Sequence, residues 1–515
     1  MTSTFRLTHF VNVRIIAFLL ATFLISCSKE DESVTPAGTN ADDSASIDSV
    51  STVSAAMEGN TDPAADEEDI LANSTFSSIV SIQYGTAITI TNPLAGAGVS
   101  VTQVNGDVTI TSTAAEVEYL VSGTTANGSL KIYSDKKFKL TFNGAAITNT
   151  DGPAINIQSK KRAFVVLNEN TTNTLTDGTS YVASGDEDMK STLFSEGQLI
   201  FSGTGTLNVK GNYKHAICSD DYIRVIGGII NVTGAASDGI HANDAFIADG
   251  GTLNITTSGD GIQCEEGFIV INNGSFAINV ADKAITANWD TDTSIDPYVT
   301  INGGTFVINS SAGEGIESKS TLTINDGSFT IKTADDGLNA GTKLNINGGN
   351  LYVYSTSNDG IDSNGPMTIT GGKIISIGAA SPEEGFDCDR NAFKVTGGIM
   401  VGIGGSTSSP TANASTQPSV ILGGGSANQI YHIRSVNGAE ALTFTVPRTF
   451  TTMLFSSPKL KLNTSYNVYT GGSVASGIDY NGLFSAGNYT DGTKSTLFTT
   501  SSMVTIAGGS QRPGR

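Results

Sequence analysis

Six acids in the middle of this chain each stand directly before a glycine and an apolar residue: Asp238, Asp260, Glu314, Asp336, Asp359 and Glu384. Further oxygen ligands follow at fixed offsets. Glu317, Asp362 and Asp387 come just after the apolar residue. Asp220, Asn243, Glu265, Asn288, Asn364 and Asp389 come three positions beyond it. Hard oxygen ligands gathered at loops are what Ca²⁺ uses, with about six to eight around the ion. Asp387-Cys388-Asp389 beside Asp359 and Asp362 is the densest group, and with Asp336 it forms the expected Ca²⁺ ligand set. Asp-Gly and Asn-Gly are also good turn formers. Turn chemistry accounts for the acid before glycine and leaves Asp362, Asp387 and Asp389 unexplained.

Other chemistry is thinly supplied. Glycoside hydrolysis needs two carboxylates at a set separation, and this chain has too many to single out a pair. A polysaccharide lyase needs a base and usually calcium. Lys283 and Arg390 adjoin the acids and read as their charge partners. His215 and His241 fall in adjacent units, so two histidines and an aspartate are a second, zinc-type reading. No Ser-His-Asp spacing or phosphate loop is evident, and no catalytic residue is assigned. Trp289, the one tryptophan, lies in an insertion with Asp290, Asp292 and Asp296. It reads either as an exposed sugar-stacking ring or as the buried cap of its loop. Trp289, Glu314, Glu317 and Lys283 are the candidate ligand-binding residues.

The element that positions these side chains is a repeat. The apolar residue falls at 217, 240, 262, 285, 316, 338, 361 and 386, steps of 22 or 23 residues apart from one of 31 and one of 25. The long step holds the Trp289 insertion. A fixed period in the twenties means stacked supersecondary units. Each unit carries short alternating runs such as Leu253-Asn254-Ile255, punctuated by Gly-Gly, Asp-Gly or Asn-Gly. None has room for a helix of ten residues. Three short strands per unit make one coil of a parallel β-helix, with coils about 4.8 Å apart and Ile, Val, Leu and Phe stacked inside. Periodicity alone does not fix handedness, and the general crossover preference favours a right-handed coil. The expected class is therefore all-β, a right-handed parallel β-helix with a β cap at each end.

The flanks divide the chain further. Arg6, Arg14 and the apolar run to Ile25 form a secretory signal over residues 1–27. It ends in the lipobox-like Leu24-Ile25-Ser26-Cys27, which makes Cys27 the expected lipidation site. Acids just after Cys27 resemble the export signal of surface lipoproteins. The expected location is therefore the outer membrane or cell surface of a Gram-negative bacterium, with the membrane reached through the lipid. Residues 28–73 are rich in Ser, Thr, Ala and acids and read as a disordered tether. Residues 74–135 read as an N-terminal β cap with the first rungs, 136–403 as the helix, 404–417 as a linker and 418–509 as a C-terminal β domain. The formal charge is −21, of which about −12 falls on the folded part. Such a surface excludes nucleic acid as a partner, since phosphate binding needs a basic face. Cys218, Cys264 and Cys388 lack metal-type spacing and read as buried small apolar residues.

The blocks Lys131–Lys137, Gly211–Asp221 and Ser237–Asp244 resemble those of secreted bacterial carbohydrate-binding domain-containing proteins. The resemblance covers roughly residues 75 to 400. It implies a β-helix like that of pectate lyases, and binding of calcium and plant-wall polysaccharide, acidic pectic chains included, without established cleavage. No single ligand position is carried over from it. The expected function is a non-catalytic, calcium-assisted, polysaccharide-binding surface lipoprotein. A pectate-lyase-like lyase or hydrolase and a surface adhesin are the alternatives.

Overall fold

The computed structural model describes residues 44–511. The expected signal, Cys27 and the first part of the expected tether lie outside the described residues. The described chain is built of short β-strands, with two 3-10 turns at Glu67–Asp69 and Leu71–Asn73 and no α-helix.

The coil is as the period requires. One sheet of thirteen strands runs the length of the helix, from Val99–Val104 to Phe386–Asp387. After a first antiparallel hairpin its strands pair in parallel. Ile217, Ile240, Ile262, Ile285, Ile316, Leu338, Ile361 and Phe386 are successive register partners. Each is at most 1% exposed. Two more parallel stacks close the coil. One passes through Tyr222–Val225, Ala245–Ala248 and Phe268–Ile271, and the other through Ile229–Ala235, Thr252–Thr257 and Ser275–Val280. Inside, the rings of Phe276, Phe306 and Phe329 stack at 4.8 and 4.6 Å. That is the strand spacing expressed in side chains, and each such burial contributes about 2 kcal/mol.

Glycine after the acid is required by the coil beyond it. A Cβ at Gly337 would lie 1.9 Å from Val353 Cγ1 and 2.6 Å from the Gly360 carbonyl oxygen. The Gly-Gly turn has a different cause: Gly304 has φ near +106°, where a side chain is strained.

The segment 404–417 differs from the expected linker. It is largely buried and covers the last coil. Its hydroxyls take the place of a next coil: the backbone N–H groups of Cys388, Phe393 and Val395 donate to Ser408, Thr411 and Ser415. A Ser/Thr-rich stretch can satisfy the open edge of a solenoid, which otherwise exposes unpaired donors. Around it, Ile399–Gly404 pairs antiparallel with Phe450–Ser456, and a separate sheet forms from Ile430–Ser435, Glu440–Thr445 and the strands between Ser465 and Thr499.

The described part of the expected tether is likewise built into the fold. Ser44–Ile47 pairs antiparallel with Gly487–Thr490 of the C-terminal sheet. Residues 52–69 then run back along the coils. They lie on a ladder of stacked amides in which Asn302 donates to Asn272, Asn325 to Asn302 and Asn347 to Asn325, at 2.7–2.8 Å. The ladder side chains use their second amide hydrogens on the carbonyls of Glu58, Asn60 and Pro63. Asp69 fixes the far end: it is 1% exposed, lies 2.7 Å from Arg162 Nε and 3.4 Å from Arg224 Nη1, and accepts from Tyr222 Oη. Composition suggested disorder because this strap has few apolar residues. Its order comes from hydrogen bonds to partners hundreds of residues away.

Candidate functional site

The acids before glycine form a ladder along one edge of the thirteen-stranded sheet. The four aspartates among them each accept the backbone N–H of the same position one coil on. The amide of Asp260 donates to Asp238 (3.1 Å), that of Lys283 to Asp260 (2.9 Å) and that of Asp359 to Asp336 (3.0 Å), and the amide of Glu384 donates to Asp359. One oxygen of each of these four aspartates is thereby spent on the fold, and the other is left to face its neighbours. Burial raises several of these carboxyls, and adjacent like charges add to it: Asp260 is pushed up to about 7, Asp336 to about 8 and Asp359 to about 9.

The position after the apolar residue points outward beside this ladder. Its column runs through His241, Gln263, Thr286, Glu317, Asn339, Asp362 and Asp387. The two columns meet near the C-terminal end of the helix. There Asp359, Asp362 and Asp387 each offer a carboxylate oxygen, all within 4.8 Å of one another. Asp387 is 4% exposed and accepts from Ser408 Oγ (3.1 Å) and from the backbone N–H of Asp389 (2.7 Å). Of the five expected calcium ligands, three therefore converge. Asp336 sits one coil back, its oxygens accepting from the Asp359 amide and from Asn339 Nδ2 (2.9 Å). Asp389 is exposed on a left-handed turn with φ near +52°. Ser408, from the cap segment, is a part of this site that no repeat pattern marks.

The other candidate residues form separate groups. Lys283 Nζ lies 2.8 Å from Glu317 and 3.7 Å from Glu314. Glu317 also pairs with Lys319 and accepts from Thr286 Oγ1 at 3.0 Å. Burial pulls the Lys283 pKa down, but Glu317 and Glu314 outweigh it and hold the ammonium charged. Trp289 is half-buried at the root of its insertion. That loop is braced by Glu266, whose carboxylate accepts from Thr291 N–H (2.6 Å) and Thr291 Oγ1 (2.7 Å). Cys218, Cys264 and Cys388 are free and buried, as their spacing suggested.

A second convergence lies at the middle of the same face, on the sixth and seventh of its thirteen strands. The imidazoles of His215 and His241 stack at 4.2 Å. Their Nδ1 atoms lie 3.0 and 3.3 Å from the same oxygen, Asp238 Oδ2. His241 Nε2 is 3.0 Å from Glu265 Oε2, and Gln263 Oε1 is 3.1 Å from His241 Nδ1. His215 is 1% exposed, and neither of its ring nitrogens is aligned for a hydrogen bond. Burial disfavours charge on both rings. It prevails at His215, whose pKa falls to about 4, and is outweighed by Asp238 and Glu265 at His241, whose pKa rises to about 9.

Register, core and outward columns define a parallel β-helix that presents acidic and imidazole groups along one face. A family model for carbohydrate-binding domain-containing proteins matches residues 104–360 and 268–387, more than half of the chain, and the chain belongs to that family. Among curated relatives, a carbohydrate-binding domain-containing protein of Acetivibrio thermocellus is 29% identical over 116 residues, 22% of this chain and 41% of the relative. The match thus spans less than half of that relative. Among solved structures, the polysaccharide lyase-like protein from C. thermocellum, as a gadolinium derivative, shares 22% identity over 57% of this chain and 92% of its own, with a TM-score of 0.36. So loose a likeness carries no argument; the fold rests on the strand register.

Proposed function

We propose that this protein is a non-catalytic carbohydrate-binding module that takes polysaccharide on the outer face of the thirteen-stranded sheet, with Ca²⁺ held by Asp359, Asp362 and Asp387. The observation that carries this reading is the convergence of those three carboxylates within 4.8 Å, in a chain of a carbohydrate-binding family. Three hard oxygen donors suit Ca²⁺, which fills its remaining positions with water, carbonyl or ligand oxygen. The raised Asp359 pKa fits this assignment, because a cation would replace the proton that burial now favours. A bound cation also reverses the local sign of an acidic domain. A uronate-bearing chain could then complete the ion's shell.

Binding is favoured over cleavage by the state of Lys283, the lysine beside the acidic column. Lys283 is charged and committed to Glu317 and Glu314, so it has no free lone pair for proton abstraction. The proposal extends to placement: Cys27 would carry the lipid that tethers the module to the cell surface, and Cys27→Ala would release it from membranes. The test of function is pull-down on insoluble polysaccharides with and without Ca²⁺, alongside incubation with polygalacturonate. Retention without product supports the reading. Steady absorbance from unsaturated products would make the protein a lyase. Absence of retention on any polysaccharide would favour an adhesin.

A further inference from the structure

The outer face carries a second centre whose chemistry differs from that of the carboxylate cluster. We infer that His215, Asp238 and His241 form a binding site for a borderline divalent transition ion of the zinc class, ligated through the two imidazole Nδ1 atoms and Asp238 Oδ2. Four observations support this site independently of the carbohydrate reading.

The first is spacing. Ligand bonds of roughly 2.0–2.2 Å in a tetrahedron hold donor atoms about 3.3 Å apart. The two Nδ1–Oδ2 separations are 3.0 and 3.3 Å. All three donor atoms lie within 4.8 Å of one another, so small side-chain rotations would seat an ion among them.

The second is the buried ring of His215. It is 1% exposed, its Nδ1 stands 3.0 Å from Asp238 Oδ2 out of hydrogen-bond alignment, and its Nε2 meets no hydrogen-bond partner among the described residues. Burying a poorly satisfied polar ring costs free energy, and a metal bond to Nδ1 would supply a well-directed interaction.

The third is the outer shell. Metal-bound histidines commonly donate their other ring N–H to a carboxylate, which fixes tautomer and orientation. His241 Nε2 meets Glu265 Oε2 at 3.0 Å in this way. Asp238 is held too, since its Oδ1 accepts from the Asp260 backbone N–H at 3.1 Å while Oδ2 faces the imidazoles.

The fourth is donor type. Two imidazoles with one carboxylate suit Zn²⁺, Co²⁺ or Ni²⁺, whereas Ca²⁺ prefers oxygen throughout. Gln263 Oε1, 3.1 Å from His241 Nδ1, is the nearest further oxygen and could fill the fourth position. The face would then sort ions by chemistry, with the nitrogen-bearing centre midway along the coils and the all-oxygen centre near their end.

The test uses the full-length protein, stripped with chelator and titrated with Co²⁺ and Zn²⁺. One equivalent of Co²⁺ should give the intense visible d–d bands of a tetrahedral nitrogen–oxygen site, and Zn²⁺ should bleach them. His215→Asn and His241→Asn should abolish the bands. Asp238→Asn keeps an oxygen for the Asp260 amide, so it should fold and still lose the bands. Glu265→Gln should weaken affinity by roughly 10–100-fold. Asp359→Asn should leave the cobalt spectrum unchanged. Circular dichroism of each variant separates loss of the site from loss of the fold. Absence of the bands in the wild type, or their persistence in a folded Asp238→Asn or His241→Asn variant, would overturn the assignment.

Discussion

Asp336 and Asp359 stand one coil apart, and the backbone N–H of Asp359 donates to Asp336 Oδ1 at 3.0 Å. The acid before glycine is therefore a rung-to-rung acceptor, which separates its structural work from any metal chemistry. Asn can serve as that acceptor and Ala cannot. Asp336→Ala is expected to be less stable than Asp336→Asn by about 1–3 kcal/mol, the cost of leaving a buried N–H unpaired. Denaturant unfolding of the two variants measures this difference. Equal stability would mean that the ladder contributes nothing.

Calcium dependence is a distinct prediction about the cluster at the end of the coils. EDTA is expected to lower both the melting temperature and the retention of acidic glycan, and Ca²⁺ to restore both, because a ligand bound to the native state stabilises it. The double change Asp359→Asn, Asp362→Asn should remove most of the calcium effect while leaving the apo melting temperature close to wild type. Calorimetric melts with and without Ca²⁺ provide the check. A chelator with no effect on melting or glycan retention would reduce these acids to turn chemistry.

The strap predicts a long-range stability effect. Asp69 is buried between Arg162 and Arg224, and Asp69→Asn removes the buried carboxylate the two guanidiniums share while Arg162 keeps Asp66 and Glu68 and Arg224 keeps Asp249. Removing the sole partner of a buried charge costs about 3 kcal/mol or more, and the remaining pairs hold the loss here below that figure. Residues 44–73 should then become the first site of limited proteolysis, before any cut in the coils. Unchanged protease resistance would argue that the amide ladder alone holds the strap.

One histidine sets an acid limit on the C-terminal sheet. His432 is fully buried, stacks on Tyr489 at 4.0 Å, and lies 2.9 Å by Nδ1 from Thr443 Oγ1. Burial, helped by Arg434 and Lys459, lowers its pKa to about 3. A depressed folded-state pKa means that the neutral ring contributes its stability above the unfolded value near 6.5, and that this is lost as pH falls from there toward 3. The slope approaches about 1.4 kcal/mol per pH unit. Unfolding at pH 7, 5.5 and 4 should show a steeper loss in the wild type than in His432→Gln. Parallel curves would refute the assignment.

Much of this protein is legible in its residues alone. A period of 22 or 23 fixes where each strand returns, because only apolar side chains can occupy the interior of a coil and only glycine fits where Gly337 meets Val353 and the Gly360 carbonyl. The acidic columns follow from the same period, since equal positions stack. What the period could not decide was lateral convergence. Asp336 and Asp359 hold equivalent positions, yet Asp359 joins Asp362 and Asp387 while Asp336 turns to Asn339. His215 and His241 are placed in adjacent coils by spacing, but only the folded geometry aims both at one oxygen of Asp238. The strap and the 404–417 cap were illegible for a related reason. They have no repeat and little apolar surface, and their order depends on donors and acceptors brought close by the completed helix. Periodicity encodes local and nearest-neighbour structure, whereas contacts such as Asn60 with Asn325 or Ser408 with Asp387 exist only once the coils have stacked.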